Sequence, residues 1–81
     1  MKSVQISLKT ALQVKKFVNT VQKYSFQINL RSNRYVVDAK SVLGIFSLDL
    51  AHPVNVEIYA SSTQTEEYEE LIESLKEFIT D

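Results

Sequence analysis

The chain carries one imidazole, His52, and no thiol, so its means for nucleophilic or metal chemistry are few. His52 sits in "AHP", and a lone histidine beside a proline reads as a surface turn residue rather than a nucleophile. No second histidine, no cysteine and no spaced Asp/Glu set accompanies it, so no metal site and no cofactor are expected. Glu66, Glu67, Glu69 and Glu70 crowd together but read as a solvated helix face biased toward its N-terminus. No carboxylate pair stands out for acid–base work, and enzyme activity is not expected. The hydroxyls of Thr10 and Ser41 each stand just before an apolar-periodic run, where a side-chain oxygen caps a helix for about 1 kcal/mol.

The elements that hold these groups follow from hydrophobic period. "SVQISL" (3–8) alternates, with Val4, Ile6 and Leu8 on one face of a strand. From 10 to 24 the period changes. Ala11, Val14, Phe17, Val18 and Val21 recur at three and four, opposite Lys15, Lys16, Asn19 and Lys23. Thr10 and Gln13 have capping-box spacing. "FQINLRSNRYVVDA" (26–39) reads as a hairpin turning at Ser32-Asn33. A short helix is expected over 41–48 and a strand over 54–60, with Val54, Val56, Ile58 and Ala60 inward. The segment 63–81 gives a last helix with Tyr68, Leu71, Ile72, Leu75, Phe78 and Ile79 in one stripe, started by a Thr63–Glu66 capping box.

The order β-α-β-β-α-β-α predicts an α+β domain, a four-stranded antiparallel sheet with helices on one face. The other face would be wet, carrying Gln5, Gln27, Asn29, Asn55 and Glu57. With 81 residues, one domain over 1–81 is expected, without linker or repeat. The formal net charge is −1, which speaks against nucleic acid, and the aromatic strands of RNA-recognition domains are absent. Charge is unevenly spread: all basic residues except Lys76 lie in 1–40, and most acids lie in 66–81. No apolar run is long enough to span a membrane, and no signal peptide is recognisable, so a cytoplasmic protein is expected.

The segment "KYSFQINLRSNRYVVDAKSVLGIFSLDLA" resembles the middle of the histidine-containing phosphocarrier protein (HPr) of the bacterial sugar phosphotransferase system. The strand ending in "INL", the "KS" opening the short helix, the glycine three positions later and the closing "SL" fall in step without a gap. The similarity extends over nearly the whole chain and implies an open-faced β-sandwich with three helices on one side. The family's active motif is a histidine followed by Ala-Arg-Pro at the start of the first helix. Carried back without gaps, it falls on Thr10, Ala11, Leu12 and Gln13, so only the alanine survives. The resemblance therefore implies a degenerate member without phosphohistidine transfer. Ser41 matches the serine that a dedicated kinase phosphorylates in Gram-positive members.

The short helix holds more apolar side chains than one stripe can use. Ile45 and Leu48 share one face, while Val42, Leu43 and Phe46 gather on a neighbouring one. The resemblance implies that the first pair is buried and that Val42, Leu43 and Phe46 dock partners, though Val42 or Phe46 folding over the sheet edge stays open. Lys15 and Lys16 would face an acidic partner surface. Expected partners are proteins, of the phosphotransferase system or of transcriptional control. Retained phosphoryl acceptance at Ser41, or at Thr10 or His52, is the alternative. A monomer is expected, with a homodimer through the second helix as the other possibility.

Overall fold

The computed structural model describes residues 1–79. Alternating residues build strand β1 (Lys2–Ile6), followed by helix α1 (Ala11–Val21), the hairpin β2 (Gln27–Ser32) and β3 (Tyr35–Asp38), helix α2 (Val42–Phe46), strand β4 (Val54–Tyr59) and helix α3 (Thr65–Leu75). All pairings are antiparallel and the strand order is β1-β4-β2-β3. The register stacks Val4, Val56 and Leu30 across three strands, and Ile58 lies between Lys2 and Ile28. Side chains of alternate residues share a face, so this ladder puts Ile6, Ile28, Leu30, Val54, Val56 and Ile58 under the helices. All six are fully buried.

The three helices cover that one face, with α1 packed against both α2 and α3. From α1 come Val14, Phe17, Val18 and Val21, and from α3 come Leu71 and Leu75. Phe17 meets Phe78 edge-on at a ring-centroid distance of 5.9 Å. Ala11, expected on the buried stripe, is exposed at the first helical position.

Other boundaries shift for local reasons. The hairpin turns at Asn33-Arg34, one residue later than expected, with Asn33 at φ 57°. An asparagine tolerates this left-handed conformation better than a branched residue would. The expected Thr63–Glu66 box is not formed: a 3₁₀ turn, Ser62–Gln64, precedes α3, the Ser61 N–H donates to Gln64 Oε1 at 2.9 Å at its start, and α3 begins after Gln64 without a side-chain cap bond. It also ends early. A second 3₁₀ turn, Lys76–Phe78, brings Phe78 and Ile79 back onto β1, where Ser7 N–H donates to the Phe78 carbonyl at 2.8 Å and Ile79 bridges Ile6. The expected helical residues 80 and 81 lie outside the described residues.

The open face is not uniformly wet. Glu57, expected among its solvated residues, is only 6% exposed. Arg31 on β2 lies across it and donates from Nε to Glu57 Oε2 at 2.7 Å, and this carboxylate holds the Arg31 pKa above its usual value. Glu70 also leaves the purely solvated set, since it accepts the Tyr24 hydroxyl at 2.8 Å. Burial first, and then this carboxylate, raise the Tyr24 pKa.

On α2 the structure separates the two stripes. Ile45 and Leu48 are buried, Val42 is half-buried against the core, and Leu43 and Phe46 are 84% and 46% exposed. Ile45→Ala should therefore lower unfolding stability by about 2–5 kcal/mol, while Leu43→Ala should change it by less than about 0.5 kcal/mol, both read from denaturant melts.

Candidate functional site

The mouth of α1 is built by its cap. Thr10 is extended, at φ −132° and ψ 157°, and its Oγ1 accepts the Gln13 N–H at 3.1 Å. Gln13 reaches back in turn. Its Oε1 accepts the Lys9 N–H at 2.6 Å and the Thr10 N–H at 3.3 Å. The spacing that pointed to a capping box is thus realised with both halves in place. Thr10 and Leu12 are exposed, and Leu12 leaves 66% of its surface in solvent.

Sheet register decides what else lies at this end. Ile6 pairs with Val54, so the chain leaving β1 toward Thr10 and the chain entering β4 through His52 and Pro53 lie at one end of the sheet. The hairpin turn Asn33-Arg34 lies at that end too, because Arg31 pairs with Asn55. His52 is exposed in its turn. Ser41 is at the other end. Ala39 N–H donates to the Ile28 carbonyl at 2.9 Å, and Gln22 Nε2, just past the end of α1, donates to the Lys40 carbonyl at 3.3 Å. The length of α1, roughly 16 Å for eleven residues, therefore separates Thr10 from Ser41.

Ser41 is half-buried, and its Oγ accepts the Gly44 N–H at 3.0 Å as the N-cap of α2. The glycine is there for space: a Cβ at position 44 would stand 3.2 Å from Ser41 Oγ and 3.4 Å from Val37 Cβ. Lys40 anchors the approach to α2. Its Nζ donates to the carbonyls of Tyr24 and Phe26 at 2.6 and 3.1 Å, so this ammonium faces inward rather than toward a partner.

The outer surface of α1 and α2 combines apolar and basic groups. Leu43 and Phe46 project from α2, and Leu12, Lys15 and Lys16 are exposed on α1. Lys16 Nζ is 3.8 Å from Glu77 Oε1, but both side chains are more than half exposed, so the pair adds little. Leu12 is the member that pattern reading missed. Its only sequence signal was an aliphatic residue on the polar side of the helix, three and four places before Lys15 and Lys16. No group of residues able to hold a metal ion occurs among the described residues, nor is any described helix long and apolar enough to cross a membrane.

Comparison with known proteins agrees with this architecture. The family model described as "PTS HPr component phosphorylation site" matches residues 2–81. A solved structure of HPr-C-His from Thermoanaerobacter tengcongensis is 31% identical, with a TM-score of 0.77, covering 98% of this chain and 91% of that one. The phosphocarrier protein HPr from Bacillus anthracis str. Ames is 29% identical, with a TM-score of 0.64, covering 98% of this chain and 94% of that one. No curated protein sequence matches. A family match over nearly the full length, on a sheet and helix order read independently from the residues, places this chain in the HPr phosphocarrier family of the phosphotransferase system.

Proposed function

We propose that this HPr-family chain has given up phosphohistidine transfer and works as a docking module for protein partners. The observation that carries this reading is the mouth of α1, which holds no imidazole and a self-contained capping box. A relay at a helix N-terminus needs an imidazole to take the phosphoryl group and free N–H groups to steady the anion. Here there is no histidine before residue 52, and Thr10 aligns with the family's histidine. The N–H groups of Lys9, Thr10 and Gln13 are bound to the chain's own Thr10 and Gln13 oxygens, which leaves those of Ala11 and Leu12 as the first-turn donors. Leu12, where the family has arginine, offers no guanidinium to clamp a phosphate. A phosphothreonine would be a stable ester and a poor donor.

The docking half of the proposal rests on Leu43 and Phe46, exposed one helical turn apart on α2, with Leu12, Lys15 and Lys16 exposed on α1 and Val42 half-buried against the core. An exposed phenylalanine with aliphatic neighbours is the anchor that interfaces use, and the flanking lysines suit an acidic rim. Ser41 keeps a separate role open for regulation: a phosphate there would replace its cap to the Gly44 N–H with a stronger, charged acceptor.

Incubation with phosphoenolpyruvate, the first enzyme of the system and Mg²⁺ should leave the intact mass unchanged. An acid-labile phosphate on the native chain would overturn the proposal, whereas an acid-stable phosphate on Ser41, formed only with ATP and the cognate kinase, fits its regulatory branch. The triple variant Thr10→His, Leu12→Arg, Gln13→Pro should gain the acid-labile phosphate. Gln13→Ala alone should lose about 1 kcal/mol of stability in thermal melts and gain no phosphate. Titration of the purified first enzyme should show Phe46→Glu weakening association at least about tenfold, equivalent to ~1.4 kcal/mol.

A further inference from the structure

The two edges of the sheet are treated differently. On the β1 edge, Phe78 and Ile79 come back to pair with Ile6 and Ser7. On the β3 edge no described residue pairs, and Tyr35 and Val36 are 68% and 40% exposed. Proteins usually blunt such an edge with lysine, proline or a bulge, because its unpaired N–H and C=O groups template another strand. β3 has no lysine, proline or bulge within Tyr35–Asp38, and only its four-residue length and the Asp38 charge guard it.

Its outward groups can be identified from the register. Ser32 and Tyr35 pair across the two-residue turn, and Ala39 N–H donates to the Ile28 carbonyl at 2.9 Å. The backbone groups of Tyr35, Val37 and Ala39 therefore face β2, and those of Val36 and Asp38 point away from the sheet. The Asp38 carbonyl confirms this parity, since it accepts from Ser41 N–H at 3.1 Å instead of from β2.

The segment "RYVVD" (34–38) is complementary to itself when run antiparallel about Val36. Arg34 then lies opposite Asp38 of the second copy, Tyr35 opposite Val37, and Val36 opposite its own equivalent. Both charged positions are exposed, and Arg34 makes no hydrogen bond or ion pair among the described residues. Asp38 uses Oδ1 to accept the Lys40 N–H at 2.8 Å, which leaves Oδ2 for an arginine. We propose that β3 is a self-association edge, joining two copies about a two-fold axis at Val36 into one continuous eight-stranded sheet.

The contact is isologous, so it closes at two copies and does not propagate into fibres. Its chemistry is two Val36 N–H···O=C bonds at the axis and two opposed charge pairs, with the Asp38 N–H at each end directed toward the second copy. An edge strand of four residues buries well under the ~1,600 Å² of a standard interface, so the dimer is weak and fills at high protein concentration. It lies on the sheet edge and uses neither the mouth of α1 nor the exposed residues of α2.

Sedimentation equilibrium from about 10 μM to about 1 mM tests this directly. Wild type should dimerise within that range, with Val36 and Asp38 amides gaining exchange protection as concentration rises. Val36→Lys sets like charges face to face at the axis, and Arg34→Asp sets carboxylates against each other, so each should weaken the dimer at least tenfold. Arg34→Asp combined with Asp38→Arg restores opposite charges and should recover most of the loss, with circular dichroism showing all variants folded. A chain that stays monomeric throughout overturns the proposal. So does a dimer that survives Val36→Lys but is lost in Phe46→Glu, or a paired charge exchange that recovers nothing.

Discussion

The sheet has only one apolar face, and burying that face is the constraint on which the remaining structure depends. β4 lies between β1 and β2, and its Val54, Val56 and Ile58 are almost wholly removed from water. Each such side chain contributes roughly 1.5–3 kcal/mol when buried, but only if helices close over it. Short helices have little stability of their own, so α1, α2 and α3 form because the sheet supplies a surface for their stripes. This mutual dependence is why α2, with only five helical residues, is nonetheless held: Ile45 enters the core and Lys40 ties its start to the carbonyls of Tyr24 and Phe26.

The same constraint decides which side chains of α1 stay outside. Val14, Phe17, Val18 and Val21 commit one side of α1 to the sheet, so its opposite side presents Leu12, Lys15 and Lys16. The start of α1 must then open at the end of the sheet where β1 finishes and β4 begins. A family built to hold a phosphoryl group at that mouth needs its donors free. In this chain the Thr10 and Gln13 side chains take up the N–H groups of Lys9, Thr10 and Gln13 as a capping box, which stabilises the start of α1. A capped helix and an open anion site make opposite demands on the same N–H groups.

Polar groups on the outer side of the sheet follow a similar logic. Glu57 is buried on a nominally open face because Arg31, on the neighbouring strand, covers it and supplies a charge-assisted hydrogen bond. The edges differ because the chain after α3 has a 3₁₀ turn that folds it back on β1, whereas the chain after β3 turns at once into α2.

Much of this was legible in the residues. Period-two and period-three/four runs located β1, β2, β4, α1 and α3, turn and β-branched residues located β3, the Thr10–Gln13 spacing located the first cap, and the "KS…G…SL" segment carried the family. These signals are local: they depend on side chains within one or two turns of each other along the chain. Tertiary structure alone decided that Glu57 is covered, that Glu70 serves Tyr24, that Val42 sinks while Leu43 stays out, and that the last helix yields to a 3₁₀ turn. It also decided that Thr10 and Ser41 stand at opposite ends of α1, and that β3 rather than β1 is the uncovered edge. Each of those outcomes depends on which strands become neighbours and in what register, and pairing over long sequence separations leaves no period for a local pattern to register.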